Sequence, residues 1–259
     1  MSALDPAAAD LAKRAAAARA VSMVAEGMRV GLGSGSTSAW FTRLLAERMA
    51  AEGLRVSAVP TSSGTARLAA ELGVPLTRIE AVGRLDLTVD GADEFDPALN
   101  LIKGGGAALL QEKIVAAASA RLVIIADPVK RVPRLGAFPL PVEVVRFGWP
   151  VTRKAIEDAL APLGLAGRRT SVRQGAAGPL VTDEGHHIID LHLGEIPDVP
   201  ALAAALTAIP GVVEHGLFVG MADCVILGYP DGSAEVLNRL GVAPQAVIDI
   251  DAEMRDEDA

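Results

Sequence analysis

The sequence predicts an α/β protein: an open, mostly parallel, Rossmann-like sheet with helices on both faces, plus a smaller inserted α+β unit. Three observations carry this. Apolar runs at residues 29–32, 85–89 and 122–126 each stop abruptly at glycine or a polar residue, as Gly33-Ser34-Gly35-Ser36-Thr37, Asp90-Gly91 and Asp127-Pro128-Val129-Lys130. Buried parallel strands deliver polar groups to a ligand in this way, at their carboxyl ends. Helix-forming stretches alternate with these runs, as a parallel sheet requires. From residue 134 the texture changes to a proline-rich connection and then to strands separated by hairpin turns and helices, which suggests a ferredoxin-like unit.

In chain order, residues 7–25 are alanine-rich and predict a first helix that includes Lys13. A strand at 29–32 leads into the glycine and hydroxyl loop, then an amphipathic helix at 39–51. Strand, loop and helix together make a phosphate cradle of backbone N–H groups with the hydroxyls of Ser34, Ser36 and Thr37. A dinucleotide fingerprint would need a third glycine and a nucleotide P-loop would need a lysine, and both are absent. A strand at 55–59 runs into a hydroxyl-rich stretch that caps a helix at 66–72, and another short element follows at 73–76.

The densest stretch comes next. Asp90-Gly91-Ala92-Asp93-Glu94 follows the apolar run, then Lys103-Gly104-Gly105-Gly106 precedes a helix expected at 107–118. Three consecutive glycines cost backbone entropy and make sense where the chain approaches a ligand closely. At a helix N-terminus they would form an anion site. Glu112 lies two turns into that helix among Leu109, Leu110, Ile114 and Val115, which leave little polar face to solvate it. Desolvation would raise its pKa, so Glu112 is a candidate general base.

Beyond the strand at 122–126, Asp127 and Lys130 again place an acid and a base at a strand end. The expected division assigns 1–133 and 208–259 to the α/β unit and 134–207 to the smaller one. The latter holds strands at 142–145, 168–172 and 188–192 and helices at 152–160 and 200–208, with a turn at 181–185. Strands at 212–217 and 224–227 are expected to return to the first domain, and residues 246–259 to form a loose acidic tail.

The 259 residues carry a net charge of −8, which argues against a nucleic-acid partner, since those proteins show a basic footprint. A phosphate ligand would therefore depend on local donors acting against the global field. No apolar run reaches the roughly 18 residues of a membrane helix. The N-terminus lacks the basic and apolar segments of a secretory signal, so the expected location is the cytoplasm. Cys224, a single cysteine, excludes an internal disulfide and reads as a buried thiol. His186, His187, His192 and His215 lack ligand spacing, so no metal is expected.

Asp90-Gly-Ala-Asp93-Glu94, Lys103-Gly-Gly-Gly106-Ala-Ala-Leu and Gln111-Glu112-Lys113-Ile114 resemble ribose-5-phosphate isomerase of the A type. The 33–37 loop is similar to that family's Gly-Thr-Gly-Ser-Thr, with Ser34 in place of the usual threonine. Likeness continues in Asp127-x-x-Lys130, in Phe138-Pro-Leu-Pro-Val-Glu143-Val and in Ile209-Pro-Gly-Val-Val. The resemblance implies interconversion of ribose 5-phosphate and ribulose 5-phosphate in the non-oxidative pentose phosphate pathway, without cofactor, by a homodimer or homotetramer. It also implies that Glu112 is the proton acceptor, with Asp90, Asp93 and Lys103 handling ring opening and proton traffic. The substrate would lie against Ser34, Gly35, Ser36 and Thr37, against Asp90, Gly91, Ala92 and Asp93, and against Lys103, Gly104, Gly105 and Gly106. Lys130 and Lys13 would complete the contacts. A sugar-phosphate deaminase, a coenzyme A transferase-like enzyme and a non-catalytic sugar-phosphate sensor are the alternatives, and a sensor would have no need of Glu112.

Overall fold

The computed structural model describes residues 5–239, so the expected acidic tail lies outside the described residues. In the first half α1 (Pro6–Val21), β1 (Arg29–Leu32), α2 (Gly35–Glu52), β2 (Ser57–Pro60), α3 (Ser63–Glu71), α4 (Ile79–Val82) and β3 (Leu87–Asp90) alternate. Two short strands follow, β4 (Glu94–Phe95) and β5 (Leu101–Ile102), then α5 (Leu109–Ala117) and β6 (Leu122–Ala126). The smaller unit holds β7 (Leu140–Val144), α6 (Trp149–Leu160), β8 (Arg169–Val172), the ribbon of β9 (Gln174–Gly175) and β10 (Gly178–Pro179), β11 (His187–His192) and α7 (Val199–Thr207). The chain then passes through β12 (Val212–His215), β13 (Leu217–Phe218), β14 (Cys224–Gly228) and β15 (Ala234–Asn238).

The large sheet has the order β15-β14-β6-β3-β1-β2 and is parallel except for the edge strand β15. Its central strands are buried on both faces, and their alternation sorts the core into two layers. Val123, Ile125 and Ile226 pack with Ala16, Ala20, Phe41 and Leu45 from α1 and α2. Leu122, Ile124, Val225 and Leu227 pack on the other face with Phe95, Leu101 and Phe218. Strand β1 runs on to β2 on one side, whereas β3 lies on its other side. The loops leaving β1 and β3 therefore diverge, and the crevice between them is where such sheets bind ligands.

The smaller sheet has the order β12-β7-β11-β8, antiparallel throughout, with α6 and α7 joining its strands as a ferredoxin-like unit does. Here the expected organisation needs correcting. Val212–His215 does not return to the large sheet; it pairs with β7, His215 opposite Val142, and is the fourth strand of the small one. Without it β7 would present a bare edge. The boundary expected at 207/208 thus falls inside this sheet. Strand β13 separates from β12 and joins β5 and β4 in a three-stranded ribbon between the two larger sheets. No helix among the described residues is long and apolar enough to cross a membrane.

Helix α1 lies directly on β14. A Cβ at Gly228 would sit 1.9 Å from the Ala12 carbonyl oxygen and 2.5 Å from the Ala16 nitrogen. Only glycine permits that approach, and α1 also carries Lys13 towards the carboxyl ends of the strands. Gly228→Ala should therefore lower the thermal midpoint by several degrees, as overpacking of roughly 1–3 kcal/mol would. It should also weaken substrate binding as α1 moves away. An unchanged midpoint in a thermal melt would contradict this packing.

Candidate active site

The site is assembled at the ends of β1, β3 and β6. Asp90, the last residue of β3, turns its carboxylate towards the loop after β1. That loop comes so close that a Cβ at Gly33 would lie 2.2 Å from Asp90 Oδ1. Oδ1 accepts the amides of Gly91 at 2.7 Å and Ser34 at 3.0 Å, and the Ser38 hydroxyl at 3.2 Å. Oδ2 faces Lys103 Nζ at 3.0 Å.

Lys103 follows β5, and its backbone amide donates to the Gly216 carbonyl, so two strands of the ribbon set its position. Its ammonium donates to the Gly91 carbonyl at 2.6 Å and lies 3.3 Å from Glu112 Oε1. The side chains of Lys103, Asp90 and Glu112 are 3%, 1% and 6% exposed, so one cation and two carboxylates share a nearly dry space. Glu112 Oε2 is buried and accepts no hydrogen bond. Burial, and then the charge of Asp90, push the Glu112 carboxyl up to about 8, against the opposing pull of Lys103. Burial alone would lower Lys103, but the carboxylates of Asp90 and Glu112 outweigh it and hold the ammonium above its ordinary value.

A cleft of about 230 Å³ opens in front of this cluster. Ser34, Gly35, Ser36 and Thr37 line one side of it, Gly91, Ala92 and Asp93 another, and Lys103 to Gly106 a third. Glu112 lies in its wall, with Lys13 and Lys130 at its margin. Every residue expected at the site borders the cleft except Asp90, which sits behind Lys103 with its oxygens already occupied. Ala9 and Asp127 also line the cleft. An alanine carries no chemical signal in a sequence. Asp127 accepts the Val129 amide at 3.0 Å and so caps the turn that carries Lys130.

Three local expectations change. Helix α2 starts at Gly35, not at 39, so Gly35, Ser36 and Thr37 are its first turn, where backbone amides have no partner within the helix. The Ser34 hydroxyl, expected against the substrate, is engaged by the hydroxyls of Thr61 at 2.8 Å, Ser62 at 2.9 Å and Thr65 at 3.2 Å. Helix α5 starts at Leu109, so the three glycines form a turn one step before it, with Gly104 at φ 108°. Gly105 in that turn donates its amide to Asp93 Oδ2 at 2.7 Å.

Glu94 and Lys113, which flank the charged cluster in sequence, do other work. Glu94 accepts the amides of Gly136 at 2.7 Å and Phe138 at 2.6 Å and so ties down the proline-rich connection. Lys113 bonds Glu214 at 2.7 Å and the His215 carbonyl at 2.6 Å, fastening α5 to β12.

Residues 57–232 match the family described as ribose 5-phosphate isomerase A (phosphoriboisomerase A). The chain belongs to this family. It is 57% identical over 227 residues to the ribose-5-phosphate isomerase A of Cereibacter sphaeroides strain ATCC 17025, covering 88% of this chain and 91% of that one. With the Ruegeria sp. strain TM1040 enzyme of the same name the identity is 54%, over 88% and 87% of the two chains. Among solved structures, ribose 5-phosphate isomerase from Plasmodium falciparum aligns with a TM-score of 0.83 at 36% identity, over 89% of this chain and 99% of that one. The Methanocaldococcus jannaschii family member aligns at 0.79 and 38% identity, over 88% and 98%.

The raised Glu112 carboxyl has a consequence for stability. In the unfolded chain this group releases its proton near the ordinary value of 4.5, whereas the folded chain keeps it to about 8. Between those values the folded state binds more protons, so its stability falls as pH rises. Glu112→Gln removes the titration, and its thermal midpoint relative to the parent should therefore climb between pH 4.5 and 8 and level off above. A difference independent of pH would show that Glu112 titrates normally.

Proposed function

We propose that this chain interconverts ribose 5-phosphate and ribulose 5-phosphate through an enediol, with Glu112 as the base. The observation that carries the reading is a buried carboxyl with one unpartnered oxygen, held beside an ammonium in the wall of a cleft that ends in anion donors. Glu112 takes the proton from C2 of the open-chain aldose and returns it to C1. The negative charge generated passes to a sugar oxygen, where a preorganised cation is most effective in a dry site. Lys103 supplies that cation. Of its three contacts, the one to Glu112 is the longest and is the one a substrate oxygen would replace. Asp93 borders the same space and would act on the substrate hydroxyls. The first turn of α2, the glycine turn, Lys13 and Lys130 would hold the phosphate and fix the reacting carbons.

One solved ribose-5-phosphate isomerase, 38% identical over 88% of this chain, is a complex with phospho-erythronic acid. A short phosphorylated acid of this kind suits a cleft with cations at its margin and amides in its wall. We read the enzyme as cytoplasmic, its one cysteine buried and free. We also read it as a homo-oligomer. Phe147 and Val151, 94% and 75% exposed at the start of α6, offer an apolar patch to a second copy.

Glu112→Gln keeps the shape and the anion donors but removes the base, so turnover should fall by about 10² to 10⁴-fold. Binding of phospho-erythronic acid, measured by calorimetry, should not weaken. Near-normal turnover would take Glu112 out of the mechanism, and loss of binding together with turnover would make it a structural residue.

A further inference from the structure

We propose that Arg173, contributed by the smaller unit, is a positioning residue of the active site, setting the orientation of the Gly105–Gly106 peptide. It follows β8 directly. Its guanidinium forms a two-pronged pair with Asp190 of β11, Nε to Oδ2 at 3.0 Å and Nη2 to Oδ1. Both side chains are largely buried. The remaining nitrogen, Nη1, leaves its own sheet and donates to the Gly104 carbonyl at 2.7 Å and the Gly105 carbonyl at 3.1 Å.

Those two carbonyls belong to the turn that walls the cleft. In a planar trans peptide the N–H points opposite the C=O. Drawing the Gly104 carbonyl to Arg173 therefore turns the Gly105 N–H the other way, where it meets Asp93. Drawing the Gly105 carbonyl to Arg173 likewise turns the Gly106 N–H away from the arginine. That N–H donates to no group among the described residues, and Gly106 lines the cleft. Within the turn the Gly104 carbonyl also accepts the Ala107 amide at 3.0 Å, but nothing inside the turn holds the Gly105 carbonyl, whose orientation depends on Arg173. Asp93 holds the turn from one side and Arg173 from the other. The outcome is an amide donor preset for a substrate oxygen, which an untethered glycine turn would have to order on each turnover. Asp190 fixes the direction of the planar guanidinium and balances its charge, so the small sheet serves the chemistry without touching the substrate.

The inference rests on the isomerase reading. Glu112→Gln tests that reading alone, because the Glu112 carboxylate bonds neither Arg173 nor the glycines. The test of Arg173 uses the full chain and two variants besides the parent. Arg173→Met with Asp190→Leu removes the pair together, leaving no unpaired buried charge to unfold the protein. Arg173→Lys keeps the charge and one donor. The double variant should keep a thermal midpoint near the parent's yet lose about ten- to a hundredfold in kcat, with KM changed less than threefold, because a misplacement of about 1 Å can cost on the order of 10²-fold. Arg173→Lys should fall between the two in kcat. A double variant with the parent's kcat would overturn the proposal, as would a loss confined to KM. If the double variant does not fold, Arg173→Lys decides: an unchanged kcat rejects the positioning role and a reduced kcat with unchanged midpoint supports it.

Discussion

The site depends on one buried cation. An ammonium removed from water costs several kcal/mol unless it is paired and hydrogen-bonded, and Lys103 is paired with Asp90, faces Glu112 and bonds the Gly91 carbonyl. Three charges, two of them negative, cannot all be ionised comfortably in a space that water barely enters. Asp90 is the better satisfied carboxylate, with three donors on one oxygen and the lysine on the other. The mismatch therefore falls on Glu112, whose second oxygen has nothing. A carboxyl that titrates near the working pH can take a proton from one carbon and give it to the next, as reversible transfer needs.

That cation is placed by a junction between the two larger sheets. Lys103 leaves the three-stranded ribbon at the point where Gly216 crosses it, and a Cβ on Gly216 would meet the Lys103 carbonyl at 2.2 Å. Phe218, on the edge strand β13 that Gly216 leads into, lies under both Lys103 and Lys113, 5.5 and 4.9 Å from its ring centre. One helix thus sends Glu112 into the cleft and Lys113 to the small sheet. The large sheet supplies the strand ends that bind, and the small sheet and ribbon hold the reacting groups in register.

Much of this was legible in the sequence because the chemistry lies where apolar runs end. Asp90, Lys130 and the loop after residue 33 stand at breaks that local patterning exposes, and the burial of Glu112 follows from its apolar neighbours. What was not legible depends on long-range choices. Val212–His215 reads as a strand wherever it pairs, and only the open edge of β7 decides its partner. Two-residue strands such as β4 and β5 are too short for periodicity to show. The partners of the Ser34 hydroxyl, Thr61, Ser62 and Thr65, lie about 30 residues on and are brought beside it only by the fold. Arg173 carries no local signal of its place. Its partners lie 17 and about 69 residues away, beyond any local pattern.

The surroundings of Glu112 raise its carboxyl so that it titrates near the working pH. Infrared difference spectroscopy across a pH titration addresses it directly, since a protonated carboxyl has a carbonyl stretch that an ionised one lacks. A carbonyl band that is missing in Glu112→Gln should persist through neutral pH and disappear with a midpoint near 8. If the band vanishes at the ordinary carboxylate value of about 4, the carboxyl is not poised and the account of the cluster is wrong.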